Sequence, residues 1–148
     1  MQSLPHQYHA GAFGKADNSL NICIDNLEPL EVAAPLQFGG PGDKWSPEDL
    51  FMASISSCFV LSFRAIARAS KLNWLNIECH SHGTLDKVEG KNKFTKVLTE
   101  VKLVIAQGES IENAQRLLQK ADKSCLVANS LNCEIMLEIQ SVSHGSDA

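Results

Sequence analysis

Residues Leu50 to Phe63, LFMASISSCFVLSF, are apolar or small at every position, and that run limits what the chain can fold into more than any other feature. The residues ahead of it start a helix. Ser46 is a good N-cap, Pro47 suits the first helical position, and Glu48 and Asp49 place negative charge in the first turn. Asp49 stands where a capping box carries its acid. The pattern predicts a helix from Pro47 to about Lys71, roughly 37 Å long. A helix that is apolar all round must be buried all round, and 148 residues supply little material to surround it. The run is too short to span a bilayer, which needs about 20 residues. Ala53, Ser54, Ser56 and Ser57 would let another backbone approach closely, so a second chain is expected to shield this central helix.

The rest of the chain alternates between strand and helix patterns. Leu20, Ile22 and Ile24 alternate with polar or small residues over Ser19–Asp25, the period of a half-buried strand, and a short extended stretch is expected over Glu31–Leu36. FGGPGDKW, residues 38–45, is a loop. Two longer strands are predicted over Trp74–Leu85 and Phe94–Ala106, joined by the polar connection DKVEGKNK. Ser110 caps a second helix whose stripe runs Ile111, Ala114, Leu118, Ala121 and Cys125. Cys133–Gln140 reads as a last strand, and SVSHGSDA as a frayed tail. The expectation is one α+β domain over 1–148, an antiparallel sheet with a long central helix and a second helix.

Composition narrows the function classes. A net charge of −4 and a pI near 5.7 argue against a generally basic nucleic-acid binder. MQSLPHQYHAGAF has neither the cationic start nor the apolar stretch of a secretory signal, so the cytoplasm is expected, with no membrane partner. Five cysteines, an odd number, do not read as a disulfide framework there. His80 and His82 share one face of a strand with Cys79 on the other, which leaves too few ligands for zinc. No bound metal or cofactor is expected. Taken singly, Cys58 and Cys125 read as small core hydrophobes, because free cysteine is among the most buried residue types.

Taken together they read differently. Ser46-Pro47-Glu48-Asp49-Leu50-Phe51-Met52-Ala53, running on to Ser57-Cys58-Phe59, resembles the reactive-cysteine helix of the OsmC/Ohr family of organic hydroperoxide reductases. Cys125-Leu126-Val127-Ala128-Asn129-Ser130-Leu131 resembles that family's second-cysteine segment, with Leu126 where proline is usual. The interval of 67 residues between the cysteines, the glycine-rich loop and the order of elements fit as well.

The resemblance implies an intertwined homodimer that reduces organic hydroperoxides. Cys58 would be the peroxidatic thiol, Cys125 the resolving thiol and Glu48 the acid of the site, with an external dithiol, such as a lipoyl group, as reductant. The family's arginine has no counterpart: the matching segment is Gly11-Ala12-Phe13-Gly14-Lys15, where Lys15 is the cation at that place. An apolar cavity by itself raises a thiol pKa, so something cationic is expected to offset it. Along one straight helix Glu48 and Cys58 are about 15 Å apart, so either a second chain brings the acid to the thiol or Glu48 is only a first-turn charge. The alternative reading is a non-peroxidatic relative that binds a small hydrophobic molecule or senses redox state.

Overall fold

The computed structural model describes residues 1–146. The chain divides into two compact units, residues 1–51 and residues 52 onward, with the division inside the first long helix.

The first unit holds a three-stranded antiparallel sheet in the order β1 (Gly11–Phe13), β2 (Leu20–Cys23) and β3 (Leu30–Val32). β1 lies in the segment that the sequence reading left without secondary structure. Of the stretch expected to be extended, the strand keeps Glu31 and Val32, and Leu36 instead opens a 3-10 turn, Leu36–Phe38, closed by Gly39 at φ 79°. Gly40 is required by space, because a Cβ there would fall 1.6 Å from the carbonyl oxygen of Ala34. Ala33 then donates to the carbonyl of Trp45, which brings the chain back beside β3 at the start of the helix.

Helix α1 spans Pro47–Ala69. Its start is the reciprocal cap the sequence suggests. The Asp49 amide donates to Ser46 Oγ at 3.1 Å, and the Ser46 amide donates to Asp49 Oδ2 at 3.1 Å. Each satisfies a donor that a helix end leaves without an intrahelical partner. The helix ends where Leu72 N–H reaches back to the Ala67 carbonyl and Lys71 takes φ 56°. By length and composition alone α1 is long and apolar enough to cross a membrane. Yet Ile55, Phe59, Phe63 and Ala67 are buried in the fold, and the last three belong to the second unit's core.

The second unit is a sheet in the order β4 (Trp74–Val88), β5 (Lys91–Ile105) and β6 (Glu134–His144). β4 and β5 form an antiparallel hairpin. The eight-residue connection expected between them shrinks to two residues, Glu89 and Gly90, at φ 50° and 78°. That pair of positive angles is the turn whose twist matches the strands it joins, so pairing extends to Val88 and Lys91.

β6 corrects the expectation of a wholly antiparallel sheet, for it pairs parallel to β5. The reason is the crossover: helix α2 (Ile111–Ser124) and the short α3 (Leu126–Asn129) lie between the two strands. A crossover of that length delivers the next strand in the same direction. Ser141–His144, expected as tail, extend β6 against Lys102–Ile105. The last two residues of that tail, 147 and 148, lie outside the described residues.

α1 and α2 share a core with β5, made of Phe59, Phe63, Leu72, Val101, Leu103, Ile105, Leu117 and Leu118 among others. Phe63 is wholly buried and meets the Trp74 ring edge-on at a centroid distance of 5.7 Å. Replacing a buried phenylalanine by alanine removes apolar burial and leaves a cavity. Phe63→Ala is therefore expected to cost about 3–5 kcal/mol in denaturant unfolding. A loss below about 1 kcal/mol would mean that this face is not the unit's core.

Candidate functional site

Cys58 sits midway along α1 and Cys125 at the junction of α2 and α3, and the second unit brings them together. Cys125 lies on the predicted apolar stripe and is 1% exposed. It serves as the last cap of α2 and the first of α3, because its extended backbone (φ −68°, ψ 105°) interrupts the helical path for one residue. That break turns the first amides of α3 out of α2's ladder and leaves them without intrahelical acceptors. Its thiol side chain reaches Cys58, and no disulfide joins them.

The two thiols occupy unequal environments. Burial opposes ionisation of Cys58. It is outweighed by hydrogen bonds to the sulfur from the backbone amide of Val127, the Cys125 thiol, the Ser62 hydroxyl and the backbone amide of Leu126, so the pKa lies below its ordinary value. Cys125 goes the other way. Burial raises it, and the neighbouring Cys58 sulfur raises it further by accepting its proton in a hydrogen bond and by charge. The nearby amides of Ala128 and Val127 only partly offset this, and Cys125 is pushed up to about 11. Of the two, Cys58 is the thiol whose ionisation its surroundings favour, and Cys125 the one whose proton they hold.

The groups that stabilise the Cys58 thiolate are thus neutral donors, where the sequence reading looked for a cation. Ser62 is one helical turn beyond Cys58, the spacing at which side chains on a helix meet, and it could have been read from that spacing. The amides of Leu126 and Val127 could not, because backbone donors leave no signature in residue type. Lys15 lies exposed in the first unit, just after β1.

Glu48 also belongs to the first unit, in the first turn of α1. Its Oε2 is buried and has no hydrogen-bond partner among the described residues. It lines a cavity of about 1030 Å³ together with Leu20, Val32, Phe38 and Lys44. A buried carboxylate oxygen without a donor is unusual, since buried polar atoms are nearly always paired. Lys44 is within ion-pair distance of Glu31 (3.6 Å) and Asp43 (3.7 Å). His80 and His82 stand on the exposed side of β4, with His82 Nε2 2.9 Å from Glu100 Oε2, while Cys79 is half-buried on the opposite side. Cys23 ends β2, and Cys133 falls just before β6 rather than inside it.

The family model described as OsmC-like protein matches residues 40–140, which include α1, the β4–β5 hairpin and both cysteines. The chain belongs to the OsmC-like family. It is 26% identical over 118 residues to organic hydroperoxide resistance protein-like 2 of Staphylococcus epidermidis, covering 78% of this chain and 82% of that one. The structure of an OsmC-like protein of unknown function from Vibrio cholerae superposes with a TM-score of 0.84 at 21% identity, over 91% of this chain and 99% of that one. An organic hydroperoxide resistance protein from Legionella pneumophila gives 0.72 at 24% identity, over 97% and 99%. At such identities the likeness of the structures is one of fold.

Ser62→Ala removes a donor to the Cys58 sulfur while leaving the amides of α3 in place. The midpoint of iodoacetamide alkylation of Cys58 against pH is expected to rise by about one unit, the low end of what one hydrogen bond to a charged group is worth. Ser62→Thr is expected to restore it. An unchanged midpoint in folded Ser62→Ala would remove Ser62 from the site.

Proposed function

We propose that this protein is a thiol-dependent peroxidase that reduces organic hydroperoxides in the cytoplasm, working as a homodimer. The observation that carries this reading is the unequal pair Cys58 and Cys125, one thiol lowered and its hydrogen-bonded neighbour raised to about 11. The Cys58 thiolate attacks the outer oxygen of the hydroperoxide, the O–O bond breaks, and the alkoxide leaves as the alcohol after taking a proton. Cys58 becomes a sulfenic acid. The Cys125 thiol condenses with it, releasing water and forming a disulfide, and an external dithiol reduces that bond by exchange. No bound cofactor enters this cycle.

A second copy of the chain has two features to account for. Ser57, Leu61, Arg64, Ala65 and Arg68 form an exposed stripe along α1, with Leu61 56% exposed on an otherwise apolar helix. The orphan Oε2 of Glu48 lacks a donor that a partner chain or a bound substrate would supply. Both support the dimer, with Glu48 as the acid of the shared site. The name of the Staphylococcus relative supports hydroperoxides as the substrate class.

The relative roles of the thiols are tested by single substitutions. Cys58→Ser is expected to abolish turnover of cumene hydroperoxide with a dithiol reductant. Cys125→Ser is expected to release about one equivalent of alcohol and then stall with Cys58 as a sulfenic acid that dimedone traps. Full turnover in both variants would overturn the reading. Sedimentation is expected to give about twice the chain mass of 16.1 kDa at micromolar concentration, and a stable folded monomer would overturn the dimer. Alkylation of Cys58 in Lys15→Ala separates two sources of thiol activation. An unchanged curve is expected if the α3 amides suffice, and a curve moved to higher pH would restore the cation.

A further inference from the structure

Apart from Glu48, the residues around the first unit's cavity take no part in the thiol chemistry. At about 1030 Å³ the cavity lies at the upper end of the roughly 300–1,000 Å³ that small-molecule sites occupy. Leu20, Val32, Phe38 and Pro41 supply apolar wall. The loop that presents Phe38 is fixed, because the Phe38 and Gly40 amides both donate to the Pro35 carbonyl at 2.9 Å. A wall that is already ordered costs a ligand little on binding.

The charges around the cavity do not balance. The carboxyl groups of Glu31, Asp43 and Glu48 line it, against the single ammonium of Lys44. Lys44 is shared between the first two, 3.6 Å from Glu31 and 3.7 Å from Asp43, and Ser19 Oγ also donates to Glu31 Oε1. Glu48 is the carboxyl group left over. Among the described residues it forms no ion pair, and its buried Oε2 has no donor. A carboxyl group turns easily about its last side-chain bond, so a donor that enters the cavity can take up that oxygen. An anion entering the same space would meet surplus negative charge and a lysine already engaged.

We propose that this cavity binds an apolar molecule carrying one ammonium group, the ammonium on Glu48 and the apolar body against Leu20, Val32 and Phe38. An ammonium brings both things that Glu48 lacks, a positive charge and N–H donors. Phe38 is the aromatic side chain of the lining, and an aromatic face attracts the same charge. The inference goes beyond the thiol cycle and does not require it, since every group it uses belongs to the first unit.

The test uses the full reduced chain and three probes of similar shape: phenethylammonium, phenethyl alcohol and hydrocinnamate. Calorimetric titration gives their affinities, and amide chemical shifts of the isotope-labelled protein place them. The ammonium is expected to bind once per chain, about ten-fold or more tighter than the alcohol, the factor that a hydrogen bond to a charged group supplies. Hydrocinnamate is expected to bind most weakly, and the shifts to cluster at Leu20, Val32, Phe38 and Lys44. Glu48→Gln is expected to bring the ammonium down to the level of the alcohol while leaving the alcohol unchanged. Lys44→Met, which removes the competing cation, is expected to tighten the ammonium a few-fold. Cys58→Ser is expected to bind it as the unaltered chain does, so that failure of the peroxidase and failure of this site are separate results. Equal affinity for ammonium and alcohol, preference for hydrocinnamate, or an unchanged ammonium affinity in folded Glu48→Gln would overturn the proposal. So would the absence of binding by any probe at millimolar concentration, which would leave the donor to Glu48 to the partner chain.

Discussion

The hydrogen bond between the Cys125 thiol and the Cys58 sulfur is the contact on which the site depends. Two thiols side by side in an apolar core would ordinarily both stay protonated, because burial disfavours each thiolate and each charge disfavours the other. Here the tie is broken by what surrounds each sulfur. The Val127 and Leu126 amides, the Ser62 hydroxyl and the Cys125 thiol all donate to Cys58, whereas for Cys125 burial and the facing Cys58 sulfur outweigh the amides of Ala128 and Val127. The arrangement assigns the negative charge to one member of the pair.

The fold supplies that asymmetry through one interruption of helix geometry. α2 delivers Cys125 to the core along its buried stripe, and the extended backbone at Cys125 then lets α3 start again at a new angle. A continuous helix through residue 125 would spend the Leu126 and Val127 amides on carbonyls one turn earlier. The crossover that contains this break also sets β6 parallel to β5, so the strand topology and the site share a cause.

Much of this was legible in the sequence, and the parts that were not have physical reasons. Ser46, Pro47 and Asp49 announced the start of α1, and the reciprocal hydrogen bonds of Ser46 and Asp49 are its local cause. The spacing of Ala114, Leu118, Ala121 and Cys125 gave the buried face of α2, although Ile111, on the same stripe, is 39% exposed at the helix's first position. The strand direction of β6 was not readable, because a period of two is the same in parallel and antiparallel pairs. Nor was the source of thiolate stabilisation: residue types suggested a search for a cation, while the donors to Cys58 include two backbone amides.

The central claim is that ionisation belongs to Cys58 and the proton to Cys125. Nuclear magnetic resonance of isotope-labelled cysteine β-carbons reads each sulfur separately through a pH titration of the reduced protein. The account predicts that the Cys58 signal moves to its thiolate position at the lower pH, while the Cys125 signal holds its protonated position until pH approaches about 11. Cys125 titrating first, or both signals moving together near the ordinary thiol range, would contradict it.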